Sequence, residues 1–224
     1  MIGNEVTTDE YPYFTGTCPV SDGSGNLNFL TCAHAFADVD NCAYYSNVDT
    51  TQGQSETHFA NFDPQNDDQD VINVNADYAL IENESSSLNV DDEVKISSSD
   101  TRRISGHTTE DGYEYKKGDI AERYGARTCH DSGTLGDIIT GGHCAAGPDW
   151  FEVTNMGSKN GDSGSPIYEI WTDRKGCEWA SIIGIVLGVN SDDDVVGCTA
   201  YEVANQENVE FGYTFESTCG GITA

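Results

Sequence analysis

Positively charged side chains are scarce in this sequence: ten Lys and Arg stand against 39 Asp and Glu, a formal net charge of −29. That shortage disfavours a nucleic acid or an anionic membrane as partner, because binding would bring like charges together. Long apolar runs are missing too. The longest, residues 182–189 (IIGIVLGV), contains two glycines and is far too short to span a bilayer. It reads as a buried strand. No CxxC pair occurs, which argues against a zinc ribbon or a thioredoxin-type site. No calcium loop of the Asp-x-Asp-x-Asp-Gly kind is present either. Residues 1–11 lack both the basic and the apolar segment of a secretory signal. If the protein is exported, its targeting segment and any propeptide have left this chain. No window of about 12 residues keeps a helical apolar stripe, and no internal repeat stands out.

What is present bounds the answer further. A chain of 224 residues is long enough to bury a proper core, as one or two domains. Eleven Tyr, eight Phe and three Trp argue against disorder, although hydrophobic residues reach only 37%. The acids run through residues 38–40, 63–70, 91–93, 110–114 and 192–194, so they coat the fold instead of forming a tail. One reading is a halophile's surface, where molar salt shortens the Debye length to about 3 Å and removes the self-repulsion. The other is an ordinary acidic secreted protein or a set of calcium sites. The even spread and the low lysine count favour the first.

Eight cysteines (Cys18, Cys32, Cys42, Cys129, Cys144, Cys177, Cys198 and Cys219) form an even set. A disulfide-stapled protein from an oxidising compartment explains them better than buried thiols do. Cys129 and Cys144 make the best pair, since they flank a glycine-rich segment (SGTLGDIITGG) that reads as a hairpin.

The periodicity is that of an all-β protein. Short β-branched and aromatic segments recur between Gly, Asn, Asp and Ser clusters, at residues 13–20, 28–32, 78–82, 93–97, 150–154, 165–171 and 181–189. Residues 203–209 are the exception and read as a short helix. The polar stretch 84–114 is where one half hands over to the other.

Three motifs carry chemistry. Thr31-Cys32-Ala33-His34 ends an apolar strand, where the sheet can hold a histidine with its ring outward. Ala76-Asp77-Tyr78-Ala79-Leu80-Ile81 puts an acid immediately before a strand. Gly161-Asp162-Ser163-Gly164-Ser165-Pro166 is a tight turn whose serine is flanked by residues that tolerate unusual backbone angles. The first two alone are no more than a loop histidine and a turn acid. The third is hard to obtain as a generic turn. Together they fall once each in the order His, Asp, Ser, which is the chymotrypsin arrangement.

On these residues the chain resembles the chymotrypsin-like serine proteases, nearest the bacterial streptogrisin and alpha-lytic subgroup. Residues 118–135 are similar to the strand-turn-strand that opens the second barrel there. The resemblance implies two six-stranded antiparallel β-barrels with the active site in the cleft between them. Residues 1–100 would form the barrel carrying His34 and Asp77, and residues 101–224 the barrel carrying Ser163 and the substrate pocket. It implies a secreted, monomeric endopeptidase acting on polypeptides, without cofactor or metal. His34 would take the Ser163 proton and return it to the leaving amine, while Asp77 holds the imidazole in the right tautomer. The N–H groups of Gly161 and Ser163 would form the oxyanion hole. Asp162 would pair with Arg123 and so shape the oxyanion loop; a freed N-terminus, as in the animal enzymes, ranks second.

Departures from that pattern are equally plain. Ala35-Phe36 stands where a cysteine usually follows the catalytic histidine. Another is missing from residues 155–160, so Cys198 needs a different partner, for which Cys177 is the candidate. Leu187 replaces a serine that would bond Asp77, which puts the rate in doubt more than the chemistry. Leu187, Gly188 and Val189 would bind substrate, with Val189 narrowing the pocket toward a small or medium apolar side chain. The alternative is a catalytically weak or inactive homologue acting as an extracellular binding module.

Overall fold

The computed structural model describes residues 5–6, 14–15, 18–21, 27–32, 42–44, 54–59, 79–82, 92–108, 115–140 and 149–212. Short strands dominate from the start: β1 (Glu5–Val6), β2 (Phe14–Thr15), β3 (Pro19–Ser21), β4 (Leu27–Thr31), β5 (Cys42–Tyr44), β6 (Gln54–Phe59) and β7 (Ala79–Glu82). They are followed by β8 (Glu93–Lys95), β9 (Thr101–His107), β10 (Ile120–Gly125), β11 (Cys129–Thr140) and β12 (Asp149–Thr154). β13 (Pro166–Thr172), β14 (Glu178–Val189), β15 (Val195–Thr199), the helix α1 (Ala200–Glu207) and β16 (Glu210–Phe211) complete the order.

Strands β13-β10-β11-β12-β15-β14 follow one another in hydrogen-bonded order, and pairing of β13 with β14 closes them into a six-stranded barrel. Its interior is filled by Leu135, Phe151, Val153, Ile167, Ile183, Val186 and Val195, with Phe151 and Val153 at alternate positions along β12. A second sheet of six strands runs β16-β3-β4-β7-β6-β5. The two sheets share a core: Cys18, Val20 and Leu30 pack with Tyr168, Ile182, Ile185 and Cys198, and with Val203 of α1. Burial is two-sided along β14, where residues 179–186 are all buried. A strand covered on both faces reads as a continuous apolar run, which is why IIGIVLGV shows no alternation.

Chain exchange between the sheets is more extensive than a simple halfway division. The polar stretch 84–114 contains two strands, β8 and β9, whose inward residues Val94 and Ile104 are buried. The barrel strands pair antiparallel, as expected, while β9, outside the barrel, pairs with β14 in parallel. β16, from the far end of the described chain, pairs with β3 of the second sheet.

Other expectations shift for local reasons. The helix expected at 203–209 begins three residues earlier, because Thr199 caps it by accepting the N–H of Glu202 at 3.3 Å. Asn208, in the left-handed conformation at φ 52°, ends it. Residues 132–140 are not a hairpin but part of β11, which absorbs its irregularity as a register shift between Leu135 and Ile138. Cys129, expected to bridge to Cys144, instead carries an exposed unbridged thiol. Cys198 keeps its S–H, which faces the carbonyl oxygen of Thr199, so it forms no bridge with Cys177. Cys18 and Cys32 are buried thiols, and burial pushes the Cys18 thiol pKa up. Among the described residues, no helix is long and apolar enough to cross a membrane.

Candidate active site

The segment Gly161-Asp162-Ser163-Gly164-Ser165 enters β13 through a turn stitched by its own backbone. Asp162 donates to Lys159 O at 2.9 Å and Ser165 donates to Asp162 O at 2.9 Å. Two bonds tie the turn to β14: Gly164 N–H to Val186 O at 2.7 Å, and Val186 N–H to Ser165 O at 2.9 Å. Gly161 and Gly164 have φ of 101° and 82°, values that side-chain-bearing L-residues rarely adopt. Ser163 is partly exposed, and its hydroxyl donates to the carbonyl of Leu187 at 3.3 Å. Leu187 sits where the register of β14 on β15 shifts between Val186 and Gly188. Such a bulge takes a residue out of the regular ladder and re-aims its groups.

Behind the turn lies a buried charge cluster. The side chains of Asp162 and Arg123 are both 0% exposed, with Nη1 3.3 Å from Oδ2. The carboxylate is saturated with donors. Oδ1 accepts the N–H groups of Arg127 (2.9 Å) and Thr128 (3.1 Å). Oδ2 accepts the Thr128 hydroxyl (2.9 Å) and the Lys159 N–H (2.8 Å). Burial alone would raise the Asp162 pKa, but the Arg127 N–H, the Arg123 charge, the Lys159 N–H and the Thr128 hydroxyl outweigh it. The net direction is down. Burial lowers the Arg123 pKa, against the opposing pull of Asp162 and Asp131. Nη2 of Arg123 bonds Thr128 Oγ1 and Gly157 O. Nε has no hydrogen-bond partner among the described residues. Gly125 leaves room for this cluster, since a Cβ there would collide with Arg123 Nη1 and Asp162 Oδ1.

The front of the turn abuts β2 and the end of β4. A Cβ at Gly164 would collide with the carbonyl of Thr15 and the hydroxyl of Thr31, and would lie 3.3 Å from the Cys32 nitrogen. Thr15 donates its N–H to Ser163 O at 2.8 Å, and Thr31 donates its hydroxyl to Thr15 O at 2.9 Å. Thus Gly161, Asp162, Ser163, Arg123 and Leu187 come together in one place. His34 and Asp77 lie outside the described residues.

Along the candidate substrate strand, Leu187 is half-buried against Trp150 and Val196. Gly188 is partly exposed, and Val189 is 49% exposed and pairs in register with Val195. Beside the strand, Asn190 donates its side-chain N–H to Glu152 at 2.8 Å. Sequence reasoning missed Thr15, Thr128 and Glu152. None carries a motif, since each acts through a contact with a residue remote in the chain.

No family model matches this chain, and no curated protein sequence does. Solved structures do match, over nearly the whole length. Thermobifida fusca protease A superposes with a TM-score of 0.68 at 16% identity, covering 95% of this chain and 97% of that one. Nocardiopsis protease gives 0.67 at 15%, covering 95% and 98%. Cellulomonas bogoriensis chymotrypsin gives 0.65 at 16%, covering 96% and 98%. Identity at that level speaks to architecture, so the conclusion is one of fold: the chain has the double-barrel fold of the bacterial chymotrypsin-like serine proteases.

Proposed function

We propose that the protein is a serine endopeptidase that hydrolyses polypeptides through an acyl-enzyme, with His34, Asp77 and Ser163 as its triad. The observation that carries this reading is the contact between the serine turn and the strand that leads to the histidine motif. Thr31, the last residue of β4, pairs in register with Ala79, the first residue of β7. Thr31 also packs against the turn that presents Ser163. His34 follows Thr31 by three residues and Asp77 precedes Ala79 by two. Covalent reach alone keeps them within about 11 Å and about 7 Å of those anchors, at roughly 3.6 Å per residue. The histidine and acid motifs thus each lie a short stretch of chain from strands that lead to the partly exposed Ser163.

In the reaction, His34 accepts the Ser163 proton as Oγ attacks the scissile carbonyl carbon. The carbonyl oxygen becomes an oxyanion facing the N–H groups of Gly161 and Ser163. His34 then protonates the leaving amine, and water, activated by the same base, releases the acid product. Asp162 and Arg123 hold the turn from behind. Leu187, Gly188 and Val189 flank the substrate, with a small or medium apolar side chain preferred. The salt adaptation read from the acidic sequence, and the secreted, monomeric character that the resemblance implies, belong to the same proposal.

A fluorophosphonate probe tests the reading, applied in about 3 M KCl and again in dilute buffer, so that screening is compared directly. Stoichiometric labelling at Ser163, absent from Ser163→Ala, is the expected result. Labelling in both buffers would retain the enzyme and remove the salt adaptation. A folded protein that labels in neither is an inactive homologue. One observation favours that second reading: Leu187 offers an apolar side chain where a hydroxyl would have bonded the triad acid.

A further inference from the structure

We propose that Thr15, from the separate two-stranded sheet of β1 and β2, is a positioning residue for the oxyanion loop, holding the carbonyl groups of the two residues whose N–H groups face the developing charge. The inference rests on the protease reading and deepens it.

Thr15 is 0% exposed. Its backbone N–H donates to Ser163 O at 2.8 Å, and its hydroxyl donates to Gly161 O at 2.8 Å. The direction of the hydroxyl proton is set by a third group. The Ala126 N–H donates to Thr15 Oγ1 at 3.1 Å, which occupies a lone pair and leaves the proton to point at Gly161. The fourth bond, from Thr31 Oγ1 to Thr15 O at 2.9 Å, anchors Thr15 to the end of β4.

These contacts matter because of what Gly161 is. At φ 101° it occupies a region where glycine has little steric restraint, so the peptides on either side of it can rotate at low cost. The peptide between Gly161 and Asp162 is held at both edges: its carbonyl by Thr15, and its N–H by Lys159 O at 2.9 Å. With that peptide fixed, the Gly161 N–H, which belongs to the peptide before it, can be turned only by rotation about φ. One hydroxyl thus couples β2, the turn after β10 and the nucleophile's own loop.

The test compares wild type with Thr15→Val, which keeps the shape and removes the hydroxyl, and Thr15→Ser, which keeps the hydroxyl. Steady-state hydrolysis of a peptide anilide with alanine before the scissile bond is measured, alongside the rate of fluorophosphonate labelling. In Thr15→Val, kcat is expected to fall about 10- to 100-fold, less than the about 10²–10³ that loss of one oxyanion donor costs. KM should stay within about twofold, because the interaction strengthens only in the transition state. Thr15→Ser should recover most of the loss. A merely structural role would lower the melting temperature and leave kcat per labelled site unchanged, and that result overturns the proposal. So does a Thr15→Ser variant no better than Thr15→Val. If Thr15→Val does not fold, Thr15→Ala is held to the same kcat and KM criteria. Wild-type protein that fails to label overturns the protease reading and this one with it. Wild type that labels beside an unimpaired Thr15→Val overturns this one alone.

Discussion

Replacing Asp162 by Asn leaves the shape of the buried cluster and deletes its negative charge, so its cost can be worked from the contacts. Both carboxylate oxygens accept backbone N–H groups: Oδ1 from Arg127 and Thr128, Oδ2 from Lys159. An amide has one oxygen. Whichever way it turns, its NH2 faces at least one N–H donor, and Arg123 loses its counter-charge at 0% exposure. Stranding one partner of a buried pair costs about 3–5 kcal/mol. For a chain of this length, about 2–4 °C per kcal/mol translates that into a fall of roughly 6–20 °C in melting temperature. Arg123→Met should cost less, because the carboxylate left behind keeps its four donors. The double variant should recover part of the loss, as a double-mutant cycle run by thermal unfolding will read. Salt should leave the difference between wild type and Asp162→Asn unchanged, since buried pairs are poorly screened. The pH dependence has a definite sign. The folded-state pKa of Asp162 is depressed, so its stabilisation is present above the unfolded value of about 3.9 and is lost as pH falls through the folded one. Asp162→Asn should therefore show a flatter acid limb. A variant within about 1 kcal/mol of wild type, or single-variant losses that simply add in the double, would refute the reasoning.

Two further perturbations are equally direct. Gly164→Ala combines a φ of 82° with a collision against Thr15 O and Thr31 Oγ1; it should destabilise by about 1–3 kcal/mol and slow fluorophosphonate labelling of the folded fraction. Labelling at the wild-type rate in that variant would show that the sheet contact does not hold the turn. His107 packs its ring on Phe211 with centroids 5.3 Å apart, and burial lowers its pKa. The folded state therefore prefers the neutral ring, and stability should drop as pH falls below the unfolded value of about 6.5. His107→Phe should remove that part of the slope between pH 7 and about pH 5 in a melting-temperature profile, whereas an unchanged slope would assign it to other groups.

The β character of the chain was legible in its sequence because strand formation leaves a local trace. Segments 150–154 and 165–171 carry the β-branched and aromatic residues that became β12 and β13. The serine turn was legible for a related reason: positive φ at Gly161 and Gly164 is a requirement that glycine answers on its own. Other features left a weaker trace. The residues 84–114 read as a polar handover, yet they hold β8 and β9. Only Val94 and Ile104 in those two strands are fully buried, too few apolar positions to show a pattern.

Local chemistry therefore reaches as far as strands, turns and surface charge, all of which depend on neighbours a few residues apart. Contacts across the chain do not. The parallel pairing of β9 with β14 and the bulge at Leu187 follow from how the strands are ordered. Family resemblance could name Arg123 and Asp162 as partners, but their 3.3 Å approach at zero exposure depends on β10 and the serine turn meeting in space. Thr15 is the extreme case. Its hydroxyl meets a carbonyl 146 positions away, and nothing in an isolated threonine distinguishes it from the others until β2 packs on the serine turn and excludes water from between them.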